Sequence, residues 1–461
     1  MQETIVSPDA ALLTGLSQSS ATPGLTRKMT HAVRAQGFDL AAALFGAPDA
    51  SFDQLPSQAR ALLLQGLILD FTARALPGPG GELLSMELRP GLPPMPEEAL
   101  EVTGTITARP DAETAEIAIL LDGPRGRLAE ASARFRLPAS AVTAPAGSRP
   151  DIQLHTHRHL SALMARSAEL PALTAAVAWP CDRDSLLGPV EAARRGALRP
   201  LLVGPRALIE QTAAEAGASL EGCEIIEAAT PHEAAAAAVR LCREGRAASL
   251  MKGSLHTDEL MAAAVAREGG LRTGRRLSHV FAMDVPSYPK ALFVTDAAVN
   301  IFPDLKTKAD IVQNAAELLH ALGNRMPKVA ILSAVETVNP AIPSTLEAAA
   351  LCKMADRGQI TGAILDGPLA FDNAISKAAA AIKKISSPVA GEADILLAPD
   401  LEAGNMVAKQ LNYLAGADSA GIVLGARVPI ILTSRADSVA SRLASVALAQ
   451  VLAAARRERG A

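Results

Sequence analysis

From residue 151 onward, short apolar runs alternate with alanine-rich stretches of helical spacing, and that alternation leaves little choice of fold. The runs at 173–179, 199–203, 223–227, 247–251, 277–283, 290–295, 328–332, 361–365, 393–397, 420–424 and 428–433 read as strands. Stretches at 232–244, 306–322, 343–357, 402–415 and 437–456 read as helices between them. Repeated strand–helix units imply a parallel sheet with helices on both faces. Roughly 310 residues exceed one ordinary doubly wound sheet, so two α/β lobes around a central cleft are expected. Ligands in such folds sit at the carboxyl ends of strands, where helix N-termini point their positive dipole ends.

Before residue 150 the pattern differs. Pro and Gly are frequent, as in LPGPGGE (76–82) and RPGLPPMPEEA (89–99). Ala61–Phe71 reads as a helix; 102–108, 114–121 and 131–137 read as antiparallel strands, with Asp122-Gly123 as a turn. Residues 138–151 (PASAVTAPAGSRPD) have the composition of a linker. The expected organisation is therefore a smaller α+β domain at 1–140, a linker at 141–151, a first α/β lobe at 152–300 plus 430–461, and a second lobe at 301–429.

The 461 residues carry 44 Lys and Arg against 48 Asp and Glu, a net charge of −4, so nothing draws the whole chain to nucleic acid or an anionic membrane. Aromatics at 3% argue against base-stacking platforms and membrane belts. The stretch Ala61–Phe71 is too short to span a bilayer, and the N-terminus lacks the pattern of a signal peptide. Cys181, Cys223, Cys242 and Cys352 are scattered, which suits a reducing cytoplasm. Neither G-x-G-x-x-G after a strand nor a Walker motif occurs, which disfavours a nucleotide-triphosphate engine or an ordinary dehydrogenase.

Several segments could carry chemistry, each with a plain structural alternative. His155, His157 and His159 fall at i, i+2, i+4, poor metal geometry and better suited to a solvated helix start. Met251-Lys252-Gly253-Ser254-Leu255-His256-Thr257 joins a strand to a helix: either a simple turn, or a cradle for phosphate with Lys252 as a point charge. Arg272, Arg275 and Arg276 surround Gly274, either as a solvated loop or as a grip on a diphosphate or 3′-phosphate. DAAVN (296–300) and ILDGPLAFDNAIS (364–376) place polar groups at strand ends, where they cap helices or meet ligands. Ser434, Arg435 and Asp437 follow a buried strand and offer a hydrogen-bond donor, an anion clamp and a base; Ser and Asp are equally ordinary cap residues.

Seven ordered segments together resemble the phosphate acetyl/butyryl transferase family: MKGSLHTDEL (251–260), LRTGRRLSHVFAMDVP (271–286), LFVTDAAVNIFPDL (292–305), ILSAVETVNPAIPSTLEAAAL (331–351), GAILDGPLAFDNAIS (362–376), LLAPDLEAGNMVAKQL (396–411) and VPIILTSRADS (428–438). The resemblance implies the two-lobe phosphate acyltransferase fold and the reaction acyl-CoA plus phosphate giving acyl phosphate plus CoA. It further implies Ser434, Arg435 and Asp437 as catalytic residues. Lys252, Gly253, Thr257, Arg272, Arg275, Asp296, Asn300, Ser333 and Asp366 become the contacts to CoA and phosphate. Acetyl-specific members carry a further Asp about two turns after the Ser-Arg pair; here that place is near Ser441, and the string Ser-Arg-Ala-Asp-Ser is closer to butyryl-type members. Residues 61–137 resemble the MaoC-type hot-dog hydratase domain fused to this transferase in some bacterial proteins. The Asp-x-Asn-Pro-x-His of that family is missing: His31 is the only histidine before 155, and no Asn precedes Asn300.

The reading that follows is a cytoplasmic acyltransferase of the acetyl-to-butyryl range, with a non-catalytic hot-dog-like N-terminal domain. It would use no metal and no cofactor beyond CoA as substrate, because a thioester is already activated. Its partners would be acyl-CoA, inorganic phosphate and further copies of itself. Rival readings are a bifunctional enoyl-CoA hydratase/phosphate acetyltransferase using carboxylates such as Asp49 or Asp53, a non-catalytic acyl-CoA-binding scaffold, and a decarboxylating dehydrogenase of similar architecture, against which the lack of a metal-binding Asp cluster argues.

Overall fold

The computed structural model describes residues 3–5, 12–32, 35–45, 55–95, 98–145, 158–432 and 438–459. The chain divides into two compact units, Met1–Thr156 and His157–Ala461.

The first unit contains β1 (Glu3–Ile5), β2 (Leu12–Thr14), β3 (Thr26–Ala32), α1 (Ala35–Leu44), α2 (Ser57–Arg74), β4 (Glu82–Pro90), β5 (Ala99–Ala108), β6 (Thr114–Gly123), β7 (Gly126–Arg136) and β8 (Thr143–Pro145). Six strands form one sheet in the order β1-β3-β5-β6-β7-β4, antiparallel except between β1 and β3. In α2, Leu64, Ile68 and Phe71 follow helical spacing and are fully buried. They share a core with alternate residues of the strands, Val102 and Ile106 of β5 and Ile117, Ile119 and Leu121 of β6. A long helix cradled by an antiparallel sheet is the hot-dog arrangement expected from the sequence. The β6–β7 hairpin turns at Pro124-Arg125 rather than at Asp122-Gly123, because Gly123 already pairs with Gly126. Nor is 141–151 all linker: Thr143–Pro145 pairs antiparallel with Leu12–Thr14.

The second unit contains α3 (Arg158–Ala168), β9 (Leu173–Ala178), α4 (Arg183–Arg194), β10 (Leu198–Val203), α5 (Arg206–Ala216), β11 (Glu224–Ile226), α6 (Pro231–Arg243), β12 (Ser249–Lys252) and α7 (Thr257–Val265). It continues with β13 (Ser278–Asp284), β14 (Leu292–Thr295), α8 (Leu305–Ala321), β15 (Lys328–Leu332), α9 (Pro343–Asp356), β16 (Ile364–Leu369), α10 (Phe371–Ile375), α11 (Lys377–Ile382), β17 (Ile395–Leu397), α12 (Leu401–Tyr413), β18 (Asp418–Leu424), β19 (Ile430–Ile431) and α13 (Val439–Glu458). All eleven strand positions read from the sequence are present, in one sheet ordered β11-β10-β9-β12-β19-β18-β13-β14-β17-β15-β16. The sheet is mixed rather than wholly parallel, since β18 is antiparallel to both β19 and β13, and β13 is antiparallel to β14. By position in the sheet β13 and β14 lie between β18 and β17, strands the sequence placed in the second lobe, although their residue numbers put them in the first.

Alternate residues build different cores. Val177, Met251, Ile431, Ile422, Val280, Ile395 and Val329 join one core that runs the width of the sheet. Their alternates split into two. One holds Ala176, Leu250, Ile430 and Val423 with α6 and α7; the other holds Met283, Val294 and Leu396 with α12. The two smaller cores abut at β18 and β13. Helix α13 is long and apolar enough to cross a membrane by length and composition, yet 78% of that apolar window is buried inside the unit. Every residue from Ser441 to Ala453 is buried, so its apolar character is that of a core helix.

Candidate functional site

The C-terminal ends of three neighbouring parallel strands build the site. Strand β12 pairs with β9 up to Lys252–Ala178, and with β19 through Leu250–Ile430 and Met251–Ile431. From these three ends the chain enters α4, α7 and, past Leu432, α13. Each of these helices presents its N-terminal amides toward this edge, a setting that favours anions. Asp182 caps α4 by accepting from the Ser185 amide at 2.8 Å, and Ser438 caps α13 by accepting from the Ser441 amide at 3.1 Å. Glu259 of α7 accepts from the His256 amide at 3.1 Å.

Lys252 is buried at this edge, its Nζ donating to the Gly253 carbonyl at 3.2 Å. Gly253 lets the two strand ends close together: a Cβ there would stand 2.3 Å from the Ala178 carbonyl oxygen and 2.4 Å from that of Trp179. The Trp179 carbonyl accepts from the Ser254 amide at 2.8 Å and from Ser254 Oγ at 2.9 Å. Trp179 itself lies in the left-handed region with φ of 57°, an arrangement these contacts hold in place. Thr257, the first residue of α7, is exposed. The next strand end leads directly into 433–437, so Ser434, Arg435 and Asp437 lie outside the described residues.

The other residues picked from the sequence form three separate groups. Arg272 is exposed and bridges Ala426; Thr273 Oγ1 donates to the Gly425 carbonyl at 2.6 Å. Gly421, not Ala426, is the β18 residue beside Leu432, so the Arg272 loop lies five residues away along the strand, on the order of 17 Å. Arg275 is engaged: its Nη1 donates to Glu317 of α8 at 2.6 Å. The Asp296 carboxylate is buried and accepts five hydrogen bonds, from the amides of His279, Ala298, Val299 and Asn300 and from Asn300 Nδ2, at 2.5–3.2 Å. Asn300 Nδ2 also donates to the Leu277 carbonyl at 2.8 Å. Both residues thus tie down the loop after β14. Ser333 Oγ lies 2.8 Å from Ser344 Oγ at the start of α9, and Asp366 accepts from the Gly367 amide at 2.9 Å. Strands β15 and β16 are five and six places from β19 in the sheet.

His155 and His157 lie outside the described residues. The His159 amide donates to Asp284 at 2.7 Å and that of Leu160 to the same oxygen at 2.9 Å, so Asp284 of β13 satisfies the start of α3. Burial pushes the Cys181, Cys242 and Cys352 thiols up to about 12, which leaves them protonated and poor nucleophiles. In the first unit, His31 of β3 is buried with Nε2 3.0 Å from Asp70 of α2, and Asp70 also accepts from Arg74 Nε at 2.7 Å. That pair ties helix to sheet. Asp49 and Asp53 lie outside the described residues.

Two residues escaped the sequence reading. His279 sits inside β13 with 1% exposure; it pairs with Val423 of β18, and its ring reaches diagonally over Gly421, the partner of Phe281. Burial pushes the imidazole down to about 4, against the upward pull of the Asp296 carboxylate. A histidine inside an otherwise apolar strand was the available signal.

With this geometry in hand, comparisons with known proteins converge. The family model described as phosphate acetyl/butaryl transferase matches residues 206–450, more than half of the chain. A phosphate acetyltransferase of Rhizobium meliloti is 63% identical over 295 residues, 64% of this chain and 93% of that protein. A probable phosphate butyryltransferase of Bacillus subtilis is 49% identical, over 60% of this chain and 92% of that protein. Among solved structures, a branched-chain phosphotransacylase from Enterococcus faecalis V583 superposes with a TM-score of 0.54 at 31% identity, over 61% of this chain and 99% of that one. Its second unit, strand by strand and segment by segment, makes this chain a member of the phosphate acetyl/butyryl transferase family.

Proposed function

We propose that the protein is a phosphate acyltransferase that interconverts acyl-CoA plus phosphate with acyl phosphate plus CoA, for acyl groups from acetyl to butyryl. The observation that carries this reading is the shared edge of β9, β12 and β19. There a buried lysine and three helix starts supply positive potential beside the strand that leads into Ser434-Arg435. Phosphate, clamped by Arg435 and drawn by Lys252, attacks the thioester carbon. Ser434 donates to the carbonyl oxygen as it becomes an oxyanion, and the C–S bond breaks to release the CoA thiolate. In reverse, Asp437 is the nearest carboxylate in sequence to take the thiol proton. Gly253 and Thr257 offer backbone and hydroxyl donors at the same edge. Arg272, at a distance suited to the far end of a molecule as long as CoA, would hold its diphosphate or 3′-phosphate, with Arg275 steadied beside it by Glu317. In this reading Asp296, Asn300, Ser333 and Asp366 shape the walls on which CoA lies.

No metal or redox cofactor enters the scheme, because the thioester supplies the driving force. We place the enzyme in the cytoplasm as a homo-oligomer, with a first unit that assists assembly and does not hydrate enoyl-CoA: its one described histidine is sealed against Asp70. The test is phosphate-dependent release of free CoA thiol from acetyl-, propionyl- and butyryl-CoA in metal-free buffer. Arg435→Ala should lower turnover by orders of magnitude, and Arg435→Lys should restore only part of it, because Lys lacks the planar fork. No thiol release by the folded wild type would favour an acyl-CoA-binding scaffold. Crotonyl-CoA hydration by the full-length protein would favour the bifunctional reading.

A further inference from the structure

His279 occupies a place where an apolar ring would serve the core better. It is 1% exposed and packs edge-on against Phe281, with ring centroids 4.3 Å apart. Its Nδ1 is buried without a hydrogen-bond partner, and its Nε2 makes no hydrogen bond among the described residues. Leaving a buried polar atom unsatisfied costs about 1–3 kcal/mol, a penalty phenylalanine would not incur. A histidine retained there at that cost points to a use for the imidazole beyond packing.

The surroundings indicate which nitrogen is used. Burial keeps the ring neutral, so it has one donor and one acceptor. Buried orphan donors are tolerated less well than orphan acceptors, which puts the proton on Nε2 and leaves Nδ1 as the sealed acceptor. Nε2 faces the missing side chain of Gly421: a Cβ there would stand 3.0 Å from Nε2 and 2.8 Å from the Leu432 carbonyl oxygen. Leu432 is the last described residue before the segment that carries Ser434 and Arg435. The donor therefore lies on the seam where the two smaller cores abut, beside the strand that delivers the reacting groups.

We infer that His279 is a further catalytic residue, donating a hydrogen bond from Nε2 to the acyl carbonyl oxygen of the thioester or acyl phosphate. A neutral donor in a water-poor pocket suits an oxygen that is uncharged in the ground state and gains charge in the transition state. The phosphate anion, by contrast, belongs to the cationic groups. This inference rests on the acyltransferase reading above.

The experiment compares wild type, His279→Gln and His279→Leu. For a folded Leu variant, kcat for thiol release should fall by about 10²-fold, the usual effect of losing one oxyanion donor. The Kd of CoA and of inorganic phosphate, neither of which has an acyl carbonyl, should stay unchanged, and Gln should recover part of kcat. On the ¹⁵N-labelled wild type, the His279 Nε2–H resonance should move on saturation with acetyl phosphate and stay put with inorganic phosphate; this measurement decides the matter if the variants do not fold. A Leu variant with kcat within threefold of wild type, an equal loss of CoA affinity and kcat, or a stationary resonance under acetyl phosphate overturns the assignment. Absence of thiol release by the wild type would instead strike the acyltransferase reading, with the acetyl phosphate titration still reporting on His279.

Discussion

Gly253→Ala is the most direct test of the strand-end edge. The added Cβ would meet the Ala178 oxygen at 2.3 Å and the Trp179 oxygen at 2.4 Å, about 1 Å inside the 3.4 Å at which ordinary contact begins. Both obstacles are backbone atoms. One belongs to the last paired residue of β9 and the other already accepts from Ser254, so neither can rotate away. Relief requires the β9 and β12 ends to separate. Overpacking of this kind costs about 1–3 kcal/mol, and the ordinary gain from Gly→Ala in the unfolded chain returns up to about 1. A net loss near 2 kcal/mol corresponds to a Tm lower by roughly 4 °C in a unit of this size. The functional effect should exceed the stability effect, because the displacement falls on Lys252 itself. A misplacement of about 1 Å in a positioned charge can cost up to about 10²-fold in turnover. Differential scanning calorimetry and thiol release at a temperature well below both transitions separate the two effects. An alanine variant with the wild-type Tm and the wild-type kcat/KM would show that the strand ends are not held together as described and that Lys252 does not depend on them.

Acid should destabilise the second unit through His279: its native value of about 4 lies below the ordinary 6.5, so the unfolded chain binds the proton first and stability is lost as pH falls from 6.5 toward 4. The loss is on the order of 3 kcal/mol, visible in urea unfolding and flattened in His279→Gln; Glu191 and Glu392, held down to about 2 by Arg194 and Lys328 first of all, act only below about 4.5. Glu347→Ala orphans the buried ammonium of Lys308 and should cost about 3 kcal/mol by thermal unfolding, whereas Lys308→Met, which leaves no buried charge, should cost less. Phe71→Ala removes the largest fully buried side chain of α2 and should cost the first unit about 3–5 kcal/mol, while thiol release by the folded second unit continues; loss of both together would mean that the units do not act independently.

The strands of the second unit were legible because buried strands are continuous apolar runs. Leu173–Ala178 and Ile395–Leu397 have almost no polar face to blur them. Direction was not legible, since an apolar run reads alike both ways; nothing in Ser278–Asp284 announces that its neighbours on both sides run against it. Two strands of the first unit, the edge strand Glu82–Pro90 and the inner strand Thr26–Ala32, were missed for the opposite reason. Glu82–Pro90 has no fully buried residue and places Leu83 and Leu84 side by side in partial exposure, so no alternation survives. In Thr26–Ala32 the inward positions include Met29 and His31, an apolar residue and an imidazole whose partner, Asp70, is a helix away.

The site divides along the same line between local and distant causes. Lys252 and Gly253 could be placed because a strand, a small polar turn and a helix start follow one another within a dozen residues, and the carboxyl end of a buried strand is where a ligand is expected. Arg275 could not be distinguished from a ligand-binding arginine by its neighbours, because the group that engages it, Glu317, lies 42 residues further on α8. Asp296 looked equally free, yet three of its five donors are the amides of Ala298, Val299 and Asn300, arranged only once the loop after β14 has folded back. His279 was hidden by the apolar company it keeps: only the packing of β13 against β18 reveals that its ring reaches past its partner Val423 to a glycine, and that the Leu432 carbonyl beside that glycine belongs to the strand leading into Ser434. A charge read from sequence is thus a candidate ligand contact until its partner is located, and in this chain Arg275 and Asp296 already have partners within the fold.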